Sequence, residues 1–131
     1  MQDYAKLEVW RRAHQLAVDV QRVTSGIPRR DNSGLVSQLR RAALSVPASI
    51  VEGSSKESNR EFARFLQIAA GSAAELHYHV RFATDTALIP QAVGETLMAE
   101  TTLLRKMLFA LLRRVRATIP STTPITNDCR R

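Results

Sequence analysis

The chain has 131 residues, 44% hydrophobic and 24% charged, which suits one globular domain and excludes a disordered chain or two ordinary domains. Lys and Arg number 19 against 12 Asp and Glu, a net charge of +7, and 16 of the cations are arginine. A single cysteine, Cys129, excludes an intramolecular disulfide and a cysteine-based zinc site.

The first helix is expected over 7–24. Trp10, Ala13, Ala17, Val20 and Thr24 step by three and four, which is one face of a helix. Gly26, Pro28 and the run Asp31-Asn32-Ser33-Gly34 then break it. The second helix is expected over 35–52, capped by Asn32 or Ser33, with the stripe Leu35, Leu39, Ala42, Val46 and Ile50. Pro47 lies inside it. Proline lacks an N–H and crowds the preceding turn, so a kink is expected there, with Ser45 and Ser49 placed to satisfy the freed carbonyl. Gly53 is expected just past the helix end.

The third helix carries the strongest pattern. Ser58 and Glu61 form a capping box ahead of an apolar run. Phe62, Leu66, Ala69, Ala73, Leu76, Val80, Ala83 and Ala87 then alternate steps of four and three, a seam of about 39 Å. A second line, Phe65, Ile68, Ser72, Glu75, His79 and Phe82, is expected to meet a second neighbour. The fourth helix starts near Pro90 and ends before Pro120. Leu97, Leu104, Leu108, Leu111 and Val115 form its seam, flanked by Leu103, Met107 and Leu112. The fold class expected is all-α: an up-down-up-down four-helix bundle over 1–119, followed by a disordered tail over 120–131.

The charges are unevenly placed. Residues 105–119 carry Arg105, Lys106, Arg113, Arg114 and Arg116 and no acid. In an up-down-up-down bundle this end meets the start of the first helix and the turn before the third. It would there join Arg11, Arg12, Lys56, Arg60 and Arg64 in a basic surface suited to a phosphate backbone, with Glu52, Glu57 and Glu61 nearby. Cations at a helix C-terminus also complement its dipole, but five without an acid exceed what capping needs. Trp10, Phe62, Phe65 and Phe82 lie on apolar lines, which points to core packing rather than base stacking.

Nothing marks a reaction. No glutamate has a histidine three residues on, as a di-iron bundle needs, and His77 and His79 are too close in sequence to share one helix face. Glu75 and His79 are spaced to pair structurally. Phosphate-loop, dinucleotide and nucleophile-elbow motifs are missing. A non-enzyme without metal or cofactor is expected. Uncharged runs such as 42–51 and 65–74 have ten residues, against about 18–20 for a membrane span. Asp3, Lys6 and Glu8 stand where a signal peptide would be apolar, so a cytoplasmic protein with no membrane contact is expected.

Three stretches resemble a known family. They are Leu7-x-Val9-Trp10-x-x-Ala13-His14, then Gln38-Leu39-Arg40-Arg41-Ala42-Ala43-x-Ser45-Val46-Pro47-x-Ser49-Ile50-x-Glu52-Gly53, then Glu61-Phe62-x-x-Phe65-Leu66-x-Ile68-Ala69-x-Gly71-Ser72-x-Ala74-Glu75-Leu76. Together they resemble the small four-helix bundle proteins encoded by intervening sequences of bacterial 23S rRNA genes, and distantly the accessory proteins of diversity-generating retroelements. The resemblance implies a homo-oligomer, typically a five-membered ring. It also implies nucleic-acid binding by basic members, and work alongside an enzyme such as a reverse transcriptase. It implies no catalysis. Two departures stand out: Ser49 replaces the usual Asn, and the turn after Gly53 is less basic than usual. Arg40, Arg41, Ser45, Pro47, Glu52, Gly53 and Glu75 read physically as a structural motif, with Arg40 or Arg41 pairing with Glu52 or Glu75. The function expected is thus a non-catalytic, basic, oligomeric bundle that binds RNA or DNA backbone as an accessory factor. The alternative is an oligomeric protein-interaction scaffold.

Overall fold

A computed structural model describes residues 3–120; the expected disordered tail and Cys129 lie outside the described residues, apart from Pro120. A single 3-10 turn, Tyr4–Lys6, precedes four helices: α1 Glu8–Ser25, α2 Ser33–Ser54, α3 Asn59–Asp85 and α4 Gln91–Ala117. Consecutive helices pack side by side, α1 closes against α4, and the two diagonal pairs stay apart. This is the up-down-up-down four-helix bundle. The α1–α4 seam is the loosest contact. Two grooves open along it, one at Val23, Val93 and Leu97, the other at Leu7, Val9, Met107 and Leu111.

The core is built from the apolar stripes of all four helices. Leu39, Ile50, Leu66, Leu76, Leu104 and Leu108 are fully buried, each contributing roughly 1.5–3 kcal/mol of transfer free energy. Two stripes turn out rotated from their expected lines, and a third divides. In α1 the buried set is Val9, Ala13, Leu16, Val20 and Thr24; Trp10 and Ala17 are half-buried at the α2 side. In α4 Thr101 and Leu112 join the core, while Leu111 is only half-buried and Leu103 is exposed. The second line of α3 divides: Phe65 is buried, whereas Ile68 and Phe82 are 40% and 46% exposed. Three and four residue steps define a stripe to within one residue's rotation, and only the neighbours decide which side of it turns inward.

The helix ends follow local chemistry. Ser58 Oγ accepts the Glu61 N–H at 3.1 Å, as its capping box predicts. Asn32 caps α2 by position, but its side-chain amide donates to the Pro28 carbonyl at 2.8 Å. The α3 seam stops short of Ala87. The Leu88 N–H donates to the Ala83 carbonyl at 2.9 Å and the Ala87 N–H to that of Thr84 at 3.0 Å. This Schellman arrangement places Ala87 at φ 64°, a left-handed conformation that usually takes glycine.

Two glycines set interhelix distances. Gly53 lies inside α2 rather than beyond its end, and a Cβ there would stand 2.7 Å from the Phe65 Cβ. A Cβ on Gly94 would stand 2.0 Å from Thr84 Oγ1. Backbone of α2 and α4 therefore approaches α3 closely. Helix α2 runs unbroken through Pro47, which is itself buried. Ser45 does not turn back to the freed carbonyl: it shares a hydrogen bond with Ser72 of α3 at 2.7 Å.

Candidate nucleic-acid interface

The resemblance motif lies across the joints between helices. Arg40 Nε donates to Thr24 Oγ1 at 2.8 Å and its terminal nitrogen to Ser25 Oγ at 3.3 Å, tying α2 to the end of α1. Arg41 bonds Gln38 and forms an ion pair with Glu75, tying α2 to α3. With Ser45 on Ser72 and Gly53 under Phe65, this makes a continuous set of α2 fixings. Glu52 forms no ion pair among the described residues; its backbone carbonyl accepts Ser55 Oγ at 2.7 Å. Glu75 is committed to Arg41 and does not bond His79, whose buried Nδ1 has no partner among the described residues.

The cations expected to form one basic surface divide into groups. On an α-helix each residue turns by about 100°. Arg105 and Arg116 fall on the α3 side of α4, where Arg116 donates to Gln67 Oε1 at 2.6 Å. Arg114 falls on the α1 side and lines a groove with Leu7 and Glu8. Lys106 and Arg113 are exposed on the outer face. Arg105 and Lys106 sit about 15 Å up the helix from Arg116. Arg11 and Arg12 are largely neutralised. Arg11 pairs with Glu8 at 2.8 Å and also donates to the Ala5 carbonyl at 2.9 Å. Arg12 lies 3.5 Å from Glu8 and 3.8 Å from Glu100 on α4.

What the bundle does bring together is the start of α3 and the end of α4. Asn59 donates to Thr118 Oγ1 at 2.8 Å and holds the two ends in register. A shallow groove of about 470 Å³ between them is lined by Arg60, Glu61, Arg64, Arg116 and Ile119. Arg64 lies over the Phe65 ring, 4.7 Å from its centre, and Lys56 approaches the same ring at 5.4 Å. Each contact holds a cation near the surface without neutralising it. Glu61 is the one acid among the described residues lining the groove, and it lies 3.5 Å from Arg64. The groove is open and carries three guanidinium groups, so it suits a charged backbone rather than an enclosed small molecule.

Two features were not legible in the residues. Trp10 stacks on His14, ring centres 5.0 Å apart and 11° between planes, with Tyr4 edge-on at 4.9 Å. The i, i+4 spacing of Trp10 and His14 is the signal that could have shown it. His77 is the second. Burial lowers its pKa from 6.5, and the charges of Arg81 and Arg105 lower it further. Among the described residues no three His, Cys, Asp or Glu side chains are grouped to hold a metal, and no helix is long and apolar enough to cross a membrane.

The chain is similar to solved structures of the same architecture. One is a protein of unknown function of the S23 ribosomal protein family from Bacteroides thetaiotaomicron VPI-5482. It superposes with a TM-score of 0.74 at 21% identity, covering 80% of this chain and 98% of that one. At that identity the likeness shows the fold. No curated protein matches the chain. The model of the 23S rRNA-intervening sequence protein family matches residues 5–110, from the 3-10 turn through most of α4. The three stretches set across the α1–α2 and α2–α3 joints all fall inside that match, and the chain belongs to the family of 23S rRNA-intervening sequence proteins.

Proposed function

We propose that this protein binds the phosphate backbone of RNA or DNA through the basic end where α3 begins and α4 stops, and that it does so without catalysis. The observation that carries the reading is the groove shared by Arg60, Arg116 and Arg64, the last partly offset by Glu61, with Arg113, Arg114 and Lys56 at the same end of the bundle. Guanidinium forks there can bond phosphate oxygens in pairs, and an open groove reads charge and shape rather than base identity. Arg11 and Arg12 add less because Glu8 and Glu100 already hold them. In the cytoplasm such a protein would serve as an accessory factor to a nucleic-acid enzyme such as a reverse transcriptase.

The test is binding to RNA and duplex DNA across a salt series, using protein freed of nucleic acid. Each phosphate contact contributes a slope of about −0.7 to −0.9 in log affinity against log salt. The variant R60E/R113E/R114E/R116E is expected to lose binding while keeping its helical spectrum. Undiminished binding by that variant would refute the assignment.

A second reading is favoured by the outer face of α3. Ile68, Tyr78 and Phe82 share it and are 40%, 59% and 46% exposed, and Gly71 between them leaves open space. We infer that this face joins copies of the chain into a homo-oligomer, as a ring such as a pentamer requires. Light scattering on I68E/F82E should then show a smaller particle than the parent. Equal masses would remove the face from assembly.

A further inference from the structure

A different set of cations lies midway along the bundle, away from the basic end. Helix α4 runs antiparallel to α3, with Gly94 against Thr84 and Arg116 on Gln67. That register sets Arg105 of α4 across from His77 of α3, and Arg81 follows His77 by one turn on the same side. The Nε of Arg105 is buried and has no hydrogen-bond partner among the described residues. A buried donor without an acceptor is costly, more so on a charged group.

Among the described residues no acid forms an ion pair with Arg81 or Arg105. Every carboxylate on the two helices can be placed. Glu61 is held by Arg64, Glu75 by Arg41 on the α2 side and Glu100 by Arg12 on the α1 side. Glu95 accepts from Gln91 at 2.9 Å. Asp85, one turn beyond Arg81, forms no ion pair with it among the described residues. The fields of Arg81 and Arg105 are both felt at His77, after burial the main reason its imidazole resists a proton.

We propose that His77, Arg81 and Arg105 form a phosphate-binding site on the α3–α4 face. Two guanidinium groups and an imidazole N–H on one face supply several donors, and a dianion supplies the missing charge. A phosphoryl group has oxygens enough for all three side chains, where a carboxylate has two. A bound dianion would reverse the field at His77 and let it take up a proton, so affinity for the dianion, corrected for the protonation of phosphate itself, should rise as pH falls through the titration of the complex. The groups facing His77 are Arg81 from its own helix and Arg105 from α4, and both keep their charge throughout. The site is independent of the basic end, because Arg60, Arg113, Arg114 and Arg116 take no part in it.

The experiment follows the three imidazoles by nitrogen-detected NMR, with His77 assigned through H77Q. The full chain is titrated with inorganic phosphate, and with chloride at matched ionic strength. Phosphate is expected to bind saturably and raise the His77 pKa beyond what chloride does. R81Q and R105Q should each weaken it roughly tenfold or more, with R105K recovering part of the loss. R60E/R113E/R114E/R116E should bind phosphate as the parent does, so failure of the nucleic-acid reading leaves this result standing. A 5′-phosphorylated oligonucleotide that displaces phosphate, where its dephosphorylated form does not, would identify a nucleic-acid end as the source. Displacement by neither would identify the free ion. No phosphate effect on His77 beyond chloride, or full affinity in R105Q, would overturn the site.

Discussion

Replacing Gly94 by Ala should cost stability although alanine is the better helix former. The added Cβ would stand 2.0 Å from Thr84 Oγ1, 2.7 Å from its Cγ2 and 2.9 Å from its Cβ. Rotating Thr84 does not clear the space, because its Cβ is fixed to the α3 backbone and its hydroxyl is held by the Val80 carbonyl at 2.7 Å. Thr84 is also 5% exposed, so no solvent lies behind it to move into. The two helices must part instead. Overpacking of this kind costs about 1–3 kcal/mol, and contact at 2.0 Å places it at the upper end. Alanine returns about 1 kcal/mol of helix propensity. A net loss of about 2 kcal/mol follows, or about 6 °C in Tm for a chain of this length. Urea denaturation followed by circular dichroism at 222 nm measures it. In a Thr84→Ala background the worst two contacts vanish, and Gly94→Ala should become nearly neutral. The interaction across that cycle should be about 2 kcal/mol. Equal stability of Gly94→Ala and the parent, or no interaction between the two sites, would show that α3 and α4 do not meet as described.

Three further outcomes are expected. Ala87→Gly should stabilise the fold by about 0.5–1 kcal/mol: the left-handed φ of 64° costs alanine about 1–2 kcal/mol, and glycine's freer unfolded chain returns part of that. A loss on urea denaturation would contradict the helix end described. A double-mutant cycle of Arg41→Met and Glu75→Gln should show a coupling below about 1 kcal/mol, since both side chains are well exposed; a coupling of several kcal/mol would mark the pair as a buried determinant. Finally, stability in phosphate-free buffer should fall as pH drops below 6.5. There the unfolded chain takes up a proton at His77 that the folded chain accepts only at lower pH, so the folded state binds fewer protons in that window. His77→Gln should remove this part of the pH dependence, and an unchanged profile would assign it elsewhere.

The basic end of the bundle was partly legible in the residues. A run from Arg105 to Arg116 without an acid can be counted along the chain, and antiparallel topology brings its end to Arg60 and Arg64. Which cations stay available could not be counted that way. Arg12 and Glu100 lie far apart in sequence, yet their charges meet at 3.8 Å because α1 closes against α4. Arg105 and Arg116 share one side of α4, but eleven residues of rise put them in different surroundings.

The fold itself was determined by local pattern. Alternating steps of three and four from Phe62 to Ala83 specify a helix and its inner face, the Ser58 and Glu61 pair specifies where it begins, and short breaks force antiparallel neighbours. These signals act within a turn or two, so no partner is needed to read them. Tertiary structure alone decided what depends on a second helix: that Phe82 faces outward, that Gly53 and Gly94 admit neighbouring side chains, that Glu75 takes Arg41 rather than His79, and that the Arg105 Nε is buried without an acceptor. Burial and pairing are properties of two surfaces in contact, and periodicity in one strip of sequence specifies only its own side.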